Sequence, residues 1–289
     1  MQKKVAKFEI PETIKPILEK NLDSEQYLER FPALHTNLAI FNLLQKHRPD
    51  VSDIQMLLGL LRQYEEKLDK ESLQEFYTYL RNVCTLVIAA GNEQVEIEFT
   101  LHELYKDNLA RGYLHNEGRL LPSRYWAVSS NAVRVKEFVW ALDFIEKYKF
   151  ELIGENETQD IYRLNLANYL FGVGRFSECL DNIAANSPFV DYLLNGKRLE
   201  IKAHYELQSE LLPFKLEAFK VFLSRTSPKL LSEPQRQIHL DFANLLHQLI
   251  YSTPGDPKRS DLLIKRIQEK KQAAEWRWLL EKAKALKNI

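Results

Sequence analysis

Apolar residues recur along this chain at three- and four-residue steps, most clearly between Asp160 and Ala185. There Leu166, Ala167 and Leu170 make one stripe and Phe176, Cys179, Leu180 and Ile183 another, with Gly172 and Gly174 between them. Such spacing puts each stripe on one helix face and the glycines break the run, so the stretch predicts two short helices folded back on each other. The glycines permit a turn that a Cβ would crowd, and the small residues Ala167 and Cys179 let the two backbones approach.

The period extends in both directions. Leu38, Phe41, Leu43 and Leu44 predict a helix from Thr36 to His47 ended by Pro49, and Ser52 is the expected N-cap of the next, which runs through Leu57, Leu60, Leu61 and Tyr64 to about Leu68. Leu73 to Gly91 and Glu93 to Ala110 predict a helical hairpin, with Phe76, Tyr79, Leu80, Val83, Leu86 and Val87 facing Val95, Phe99, Leu101, Leu104, Tyr105 and Leu109. After Pro122, Trp126, Val128, Ala132 and Val133, then Phe138, Ala141, Leu142, Ile145 and Tyr148, predict another. A helix from Gln235 to Tyr251 follows Pro234, and the breaker Thr253 to Pro257 sets off the last segment.

Some of these stripes superimpose. Phe138, Ala141, Leu142 and Ile145 correspond to Phe176, Cys179, Leu180 and Ile183 at a constant offset of 38 residues. Ile201, Tyr205, Leu211, Phe214 and Ala218 continue the arrangement at about 35. A small residue, a glycine turn, an aromatic and a second small residue in this order resemble a tetratricopeptide repeat. The resemblance covers Arg124 to Arg225 and continues more weakly back to Phe76 and on to the C-terminus, with Ala167 replacing one glycine and Lys136 standing where Gly174 stands in the next copy. The longer pattern is similar to helical-repeat proteins of Bacteroidetes-type bacteria. It implies an all-α fold, a right-handed superhelical stack of about six or seven antiparallel helix pairs without β-sheet, over residues 36–252. Residues 1–35 form an N-terminal lead in which Pro11, Pro16 and Pro32 hold any helix to one or two turns. Residues 253–289 form basic capping helices that cover the last pair.

Composition narrows the choice. Nine glycines in 289 residues are too few for the turns of an all-β or dinucleotide-binding fold. The N-terminus has no continuous apolar core of a signal peptide and no run of about 18 apolar residues occurs, so a cytoplasmic protein off the membrane is expected. Cys84 and Cys179, 95 residues apart in apolar helical patterns, read as structural thiols. Forty basic residues balance 40 acidic ones, so no global field draws the chain to nucleic acid. Locally, Lys258 to Ile289 carries ten Lys and Arg against four Asp and Glu.

Chemistry-bearing motifs are lacking. There is no GxxxxGK[ST], HExxH, GxSxG or CxxC. His239 and His247 lie two helical turns apart, about 12 Å, too far to share a metal. No catalytic residue, metal or cofactor is therefore expected. The resemblance instead implies a concave groove, lined by the first helix of each pair, that holds an extended peptide or partner helix. Asn168 stands where such proteins carry a peptide-holding asparagine, and Arg134, Arg198 and Lys202 supply positive charge from the neighbouring copies. The expected function is a non-enzymatic protein- or peptide-binding scaffold, or a regulatory domain sensing a small peptide. An alternative is nucleic-acid binding by the last segment through Lys265, Arg266, Lys270, Lys271 and Trp278, whose charge and ring suit phosphates and bases. Trp276 and Trp278 cannot share one helix face, so one is expected in the core and the other near Arg277 and solvent.

Overall fold

The computed structural model describes residues 28–46, 49–89, 95–152, 158–183, 189–252 and 255–287. Thirteen α-helices occupy most of them, in two compact units, 1–114 and 115–289. Pro11, Pro16, His47, Gly91 and the start of the Thr253 breaker, all used in the sequence reading, lie outside the described residues.

The first unit contains α1 (Pro32–Gln45), α2 (Val51–Gln63), α3 (Lys70–Ala89) and α4 (Val95–Ala110). Pro32, expected to hold helix back, instead starts α1 at a position where a missing N–H costs nothing. Asp50, not Ser52, caps α2: its side chain accepts from the Asp53 N–H while Asp53 accepts from the Asp50 N–H, and the Ser52 hydroxyl donates to Asp50. Helices α1, α2 and α3 pack on one another and α4 packs on α3. The core is Ile54, Leu57, Leu61, Leu73, Phe76, Leu80, Val83 and Leu101, with Tyr64 buried and its hydroxyl 2.8 Å from His35 Nδ1. Tyr79, Leu86, Val95 and Phe99, expected inward, are exposed.

The second unit opens with a two-stranded ladder, His115–Asn116 paired antiparallel with Arg119–Leu120. Glu117 and Gly118 at φ +51° and +78° make the tight turn between them. This ladder corrects the expectation of a fold without sheet. Nine helices follow: α5 (Pro122–Arg134), α6 (Phe138–Tyr148), α7 (Thr158–Gly172), α8 (Phe176–Asn182), α9 (Val190–Glu206), α10 (Leu212–Arg225), α11 (Glu233–Ile250), α12 (Pro257–Glu269) and α13 (Trp276–Lys287). Each packs on the next in sequence, and α5 also packs on α7, α7 on α9 and α11 on α13.

The turns repeat one construction. At the end of α5, the Lys136 N–H reaches the Val133 carbonyl and the Glu137 N–H the Ala132 carbonyl; Gly174 and Arg175 do the same after α7, and Gln208 and Ser209 after α9. This pair of bonds needs a left-handed residue, and Lys136, Gly174 and Gln208 have φ of +64°, +81° and +52°. Gly172 has a different task. A Cβ there would lie 2.6 Å from Val133 Cγ1 and 3.2 Å from Phe138 Cε1, so its bareness is what lets α7 close on the α5–α6 turn.

Ala141 and Cys179 are fully buried in α6 and α8. One helix pair later the register slips: Leu212, Leu216, Phe219 and Leu223 face inward, while the expected Leu211 and Phe214 are exposed, because the turn before α10 is longer than the one before α8. Among the described residues, one apolar core runs across α7, α8 and α9 and a larger one from α9 to α13.

Candidate functional site

Side chains from α7, α9, α11 and α13 converge on a polar cluster beside the larger core. Arg198 and Lys202 project from α9 one turn apart, with side chains only 14% and 11% exposed. The turn between α12 and α13 delivers Glu275 between them. Its Oε1 accepts from Arg198 Nε at 3.2 Å and its Oε2 from Lys202 Nζ at 2.7 Å. Glu275 reaches this place with φ +57°, a left-handed conformation that costs a residue bearing a Cβ about 1–2 kcal/mol.

Two further contacts fix the guanidinium. Arg198 Nη2 donates to Asn195 Oδ1 one turn earlier, and Nη1 lies 3.1 Å from His239 Nδ1 on α11. Arginine has no acceptor, so His239 accepts through Nδ1 and is neutral. Burial and then the Arg198 charge push its pKa down to about 3. Burial alone would lift the Glu275 carboxyl, but Lys202 and Arg198 outweigh it and hold the pKa at about 2. An acid and a cation pair this enclosed are stable only together, since removing one partner leaves an uncompensated charge.

Aromatic rings wall the ammonium. Lys202 Nζ lies 4.5 Å from the Phe171 ring centre on α7 and 5.8 Å from that of Trp278 on α13. The Trp278 indole N–H donates to Glu206 Oε1 at 2.8 Å, its ring meets Tyr205 edge-on, and Lys282 Nζ pairs with the same Glu206 oxygen at 2.8 Å.

The structure thus brings together two of the four residues expected to line a groove, Arg198 and Lys202, and gives both to an internal carboxylate. Asn168 is half-buried on α7, one turn before Phe171 and on the same side of the helix. Arg134 is the exposed last residue of α5. Glu275, the residue that joins the cluster, was not singled out in the sequence, where it is one of four acids in a basic segment.

That segment is less positive in space than in sequence. Lys265, Arg266, Lys270 and Lys271 are all exposed, but Lys270 pairs with Asp241 on α11, Arg266 Nη1 donates to Gln248 at 2.6 Å and Lys271 lies over Trp276. Trp276 is the core residue, as expected of one of the pair, while Trp278, the other, is packed on α9 rather than left to solvent. Between α11 and α12 the surface sinks into two adjoining depressions of about 340 and 280 Å³, separated by the Arg266–Gln248 bond. His239 and His247 are engaged separately, one with Arg198 and the other with its ring tilted against Tyr251, centres 4.7 Å apart. Among the described residues no three His, Cys, Asp or Glu gather to hold a metal, and no helix is long and apolar enough to cross a membrane. No protein-family model, no curated protein and no solved structure matches the chain.

Proposed function

We propose that α5 to α10 form a tetratricopeptide-like stack of antiparallel helix pairs, wound as a right-handed superhelix, and that the protein is a non-enzymatic, cytoplasmic scaffold binding a peptide or protein along α5, α7 and α9. One observation carries the reading: the same two-bond left-handed turn recurs at Lys136, Gly174 and Gln208, while α5 touches α7 and α7 touches α9. Helix pairs joined by one turn geometry and stacked through their first helices build an extended surface rather than a closed pocket. Arg134 and Asn168 are the groove residues that Glu275 leaves untouched.

A random-sequence peptide library panned against the intact chain tests this. Enriched peptides should bind at least tenfold more weakly to Arg134→Glu/Asn168→Ala, with unchanged circular dichroism. Failure to enrich any peptide, or equal binding to the variant, would sink the scaffold reading. The nucleic-acid alternative has exposed Lys265 and Lys271 in its favour, but Asp241 and Glu206 already answer Lys270 and Lys282 and the Trp278 ring is engaged. Affinity for labelled DNA or RNA that falls steeply with salt and is lost in Lys265→Glu/Lys271→Glu would reverse that order.

A further inference from the structure

We propose that Arg198 and Lys202 form a carboxylate-binding site whose resting occupant is the protein's own Glu275, so that the α12–α13 turn is an autoinhibitory contact and an acidic peptide must displace it. The inference deepens the scaffold reading and rests on it only for the competitor being a peptide.

The site is assembled without Glu275. Asn195 and His239 hold the guanidinium from α9 and α11, and Phe171 and Trp278 hold the ammonium from α7 and α13. Both cations therefore have contacts that orient them apart from the carboxylate, and the uncompensated charge left when it swings away is what draws another anion in. The two donors take opposite oxygens of one carboxylate, a geometry any aspartate, glutamate or chain terminus reproduces.

Glu275 is also placed to be exchanged. It comes from a turn rather than a helix face, and a quarter of its side chain is exposed. The hairpin that carries it is anchored separately, through Leu263, Ile267, Trp276, Leu279, Leu280 and Ala283 in the larger core. One side chain has to swing away while α12 and α13 stay docked. A tethered occupant acts at a high effective concentration, so an incoming carboxylate binds in proportion to the fraction of open sites.

Glu275→Gly in the full chain empties the site and suits the left-handed backbone. Two probes follow: sodium formate against sodium chloride in thermal unfolding, and labelled hexaglutamate against hexaglutamine in anisotropy. The variant should gain several degrees in formate over chloride while the wild type gains none. It should bind hexaglutamate at least tenfold more tightly than the wild type does, and Lys202→Met in the variant should abolish the gain. Glu275→Gln, which keeps the shape without the charge, should give an intermediate gain and serves if the glycine variant folds poorly. No formate effect and no gain in either variant would overturn the proposal. Formate stabilisation without a hexaglutamate gain would overturn its peptide half. Because the formate arm contains no peptide, its failure removes the site and leaves the library test of the scaffold untouched.

Discussion

Gly172→Ala probes the closest helix approach in the second unit. In most helices this exchange stabilises, by up to about 1 kcal/mol, because alanine loses less backbone freedom. Here the new methyl would meet Val133 Cγ1 at 2.6 Å, well inside normal contact, with Phe138 Cε1 at 3.2 Å beyond it. Val133 sits in α5, where a β-branched side chain has one strongly preferred rotamer and cannot swing aside. The backbone must move instead, and overpacking of this kind costs about 1–3 kcal/mol. Gly172 ends its helix, so little of the propensity gain is realised, and the net expectation is a loss of about 1–2 kcal/mol. For a unit of about 175 residues that is a fall in Tm of about 2–8 °C, readable by urea and thermal unfolding. The specific signature is the double variant. Val133→Ala removes the atom that clashes, so Gly172→Ala should cost less in that background than in the wild type. Equal costs in the two backgrounds, or a stabilised single variant, would refute the claim that glycine is there for proximity.

The left-handed turns give the opposite expectation: Lys136→Gly should raise unfolding stability by about 0.5–1 kcal/mol, and Gly174→Ala, with open space around it but φ +81°, should lower it by about 1–2 kcal/mol. Because Glu275 has its pKa lowered to about 2, the unfolded chain binds the extra proton; the stability it contributes is present above about pH 4.5 and lost as pH falls toward 2, so Glu275→Gln should flatten that limb of the stability–pH curve. Burial pushes both thiols up to about 12, so Cys84 and Cys179 should resist a disulfide reagent at pH 8 in the native protein and react rapidly in urea. Fast native labelling of either would contradict its placement in the core.

Local periodicity carried much of the helical layout. The 38-residue offset set Lys136 opposite Gly174, and the backbone is left-handed at both, although a lysine gives no such signal on its own. Gln208 was hidden for the same reason. The shift before α10 escaped because Leu211 and Phe214 are as apolar as Leu212 and Leu216, so composition could not say which set faced inward. A two-residue ladder is too short to show alternation, and only the Glu117-Gly118 pair marked it. Asp50 rather than Ser52 caps α2 through its exchange with Asp53, although Ser52 has Gln55 at the same spacing, so spacing alone could not choose between them. In the polar cluster, the two cations were named through the groove that the repeat resemblance implies, but the acid that answers them lies more than 70 residues away, beyond the reach of any helical period.

That separation has a kinetic meaning. Nearly all other packing in the second unit joins helices that are next or next but one in order, contacts that close early and cheaply as a chain emerges. At synthesis rates of about 5–20 residues per second, the interval between making Lys202 and making Glu275 is about 4–15 s. Throughout it Arg198 and Lys202 have been made while Glu275 has not, and neither has Trp278, which walls Lys202 from three residues further on. The polar cluster therefore closes only when the last helix of the unit is made, which ties its completion to the end of the chain rather than to the helices that surround it.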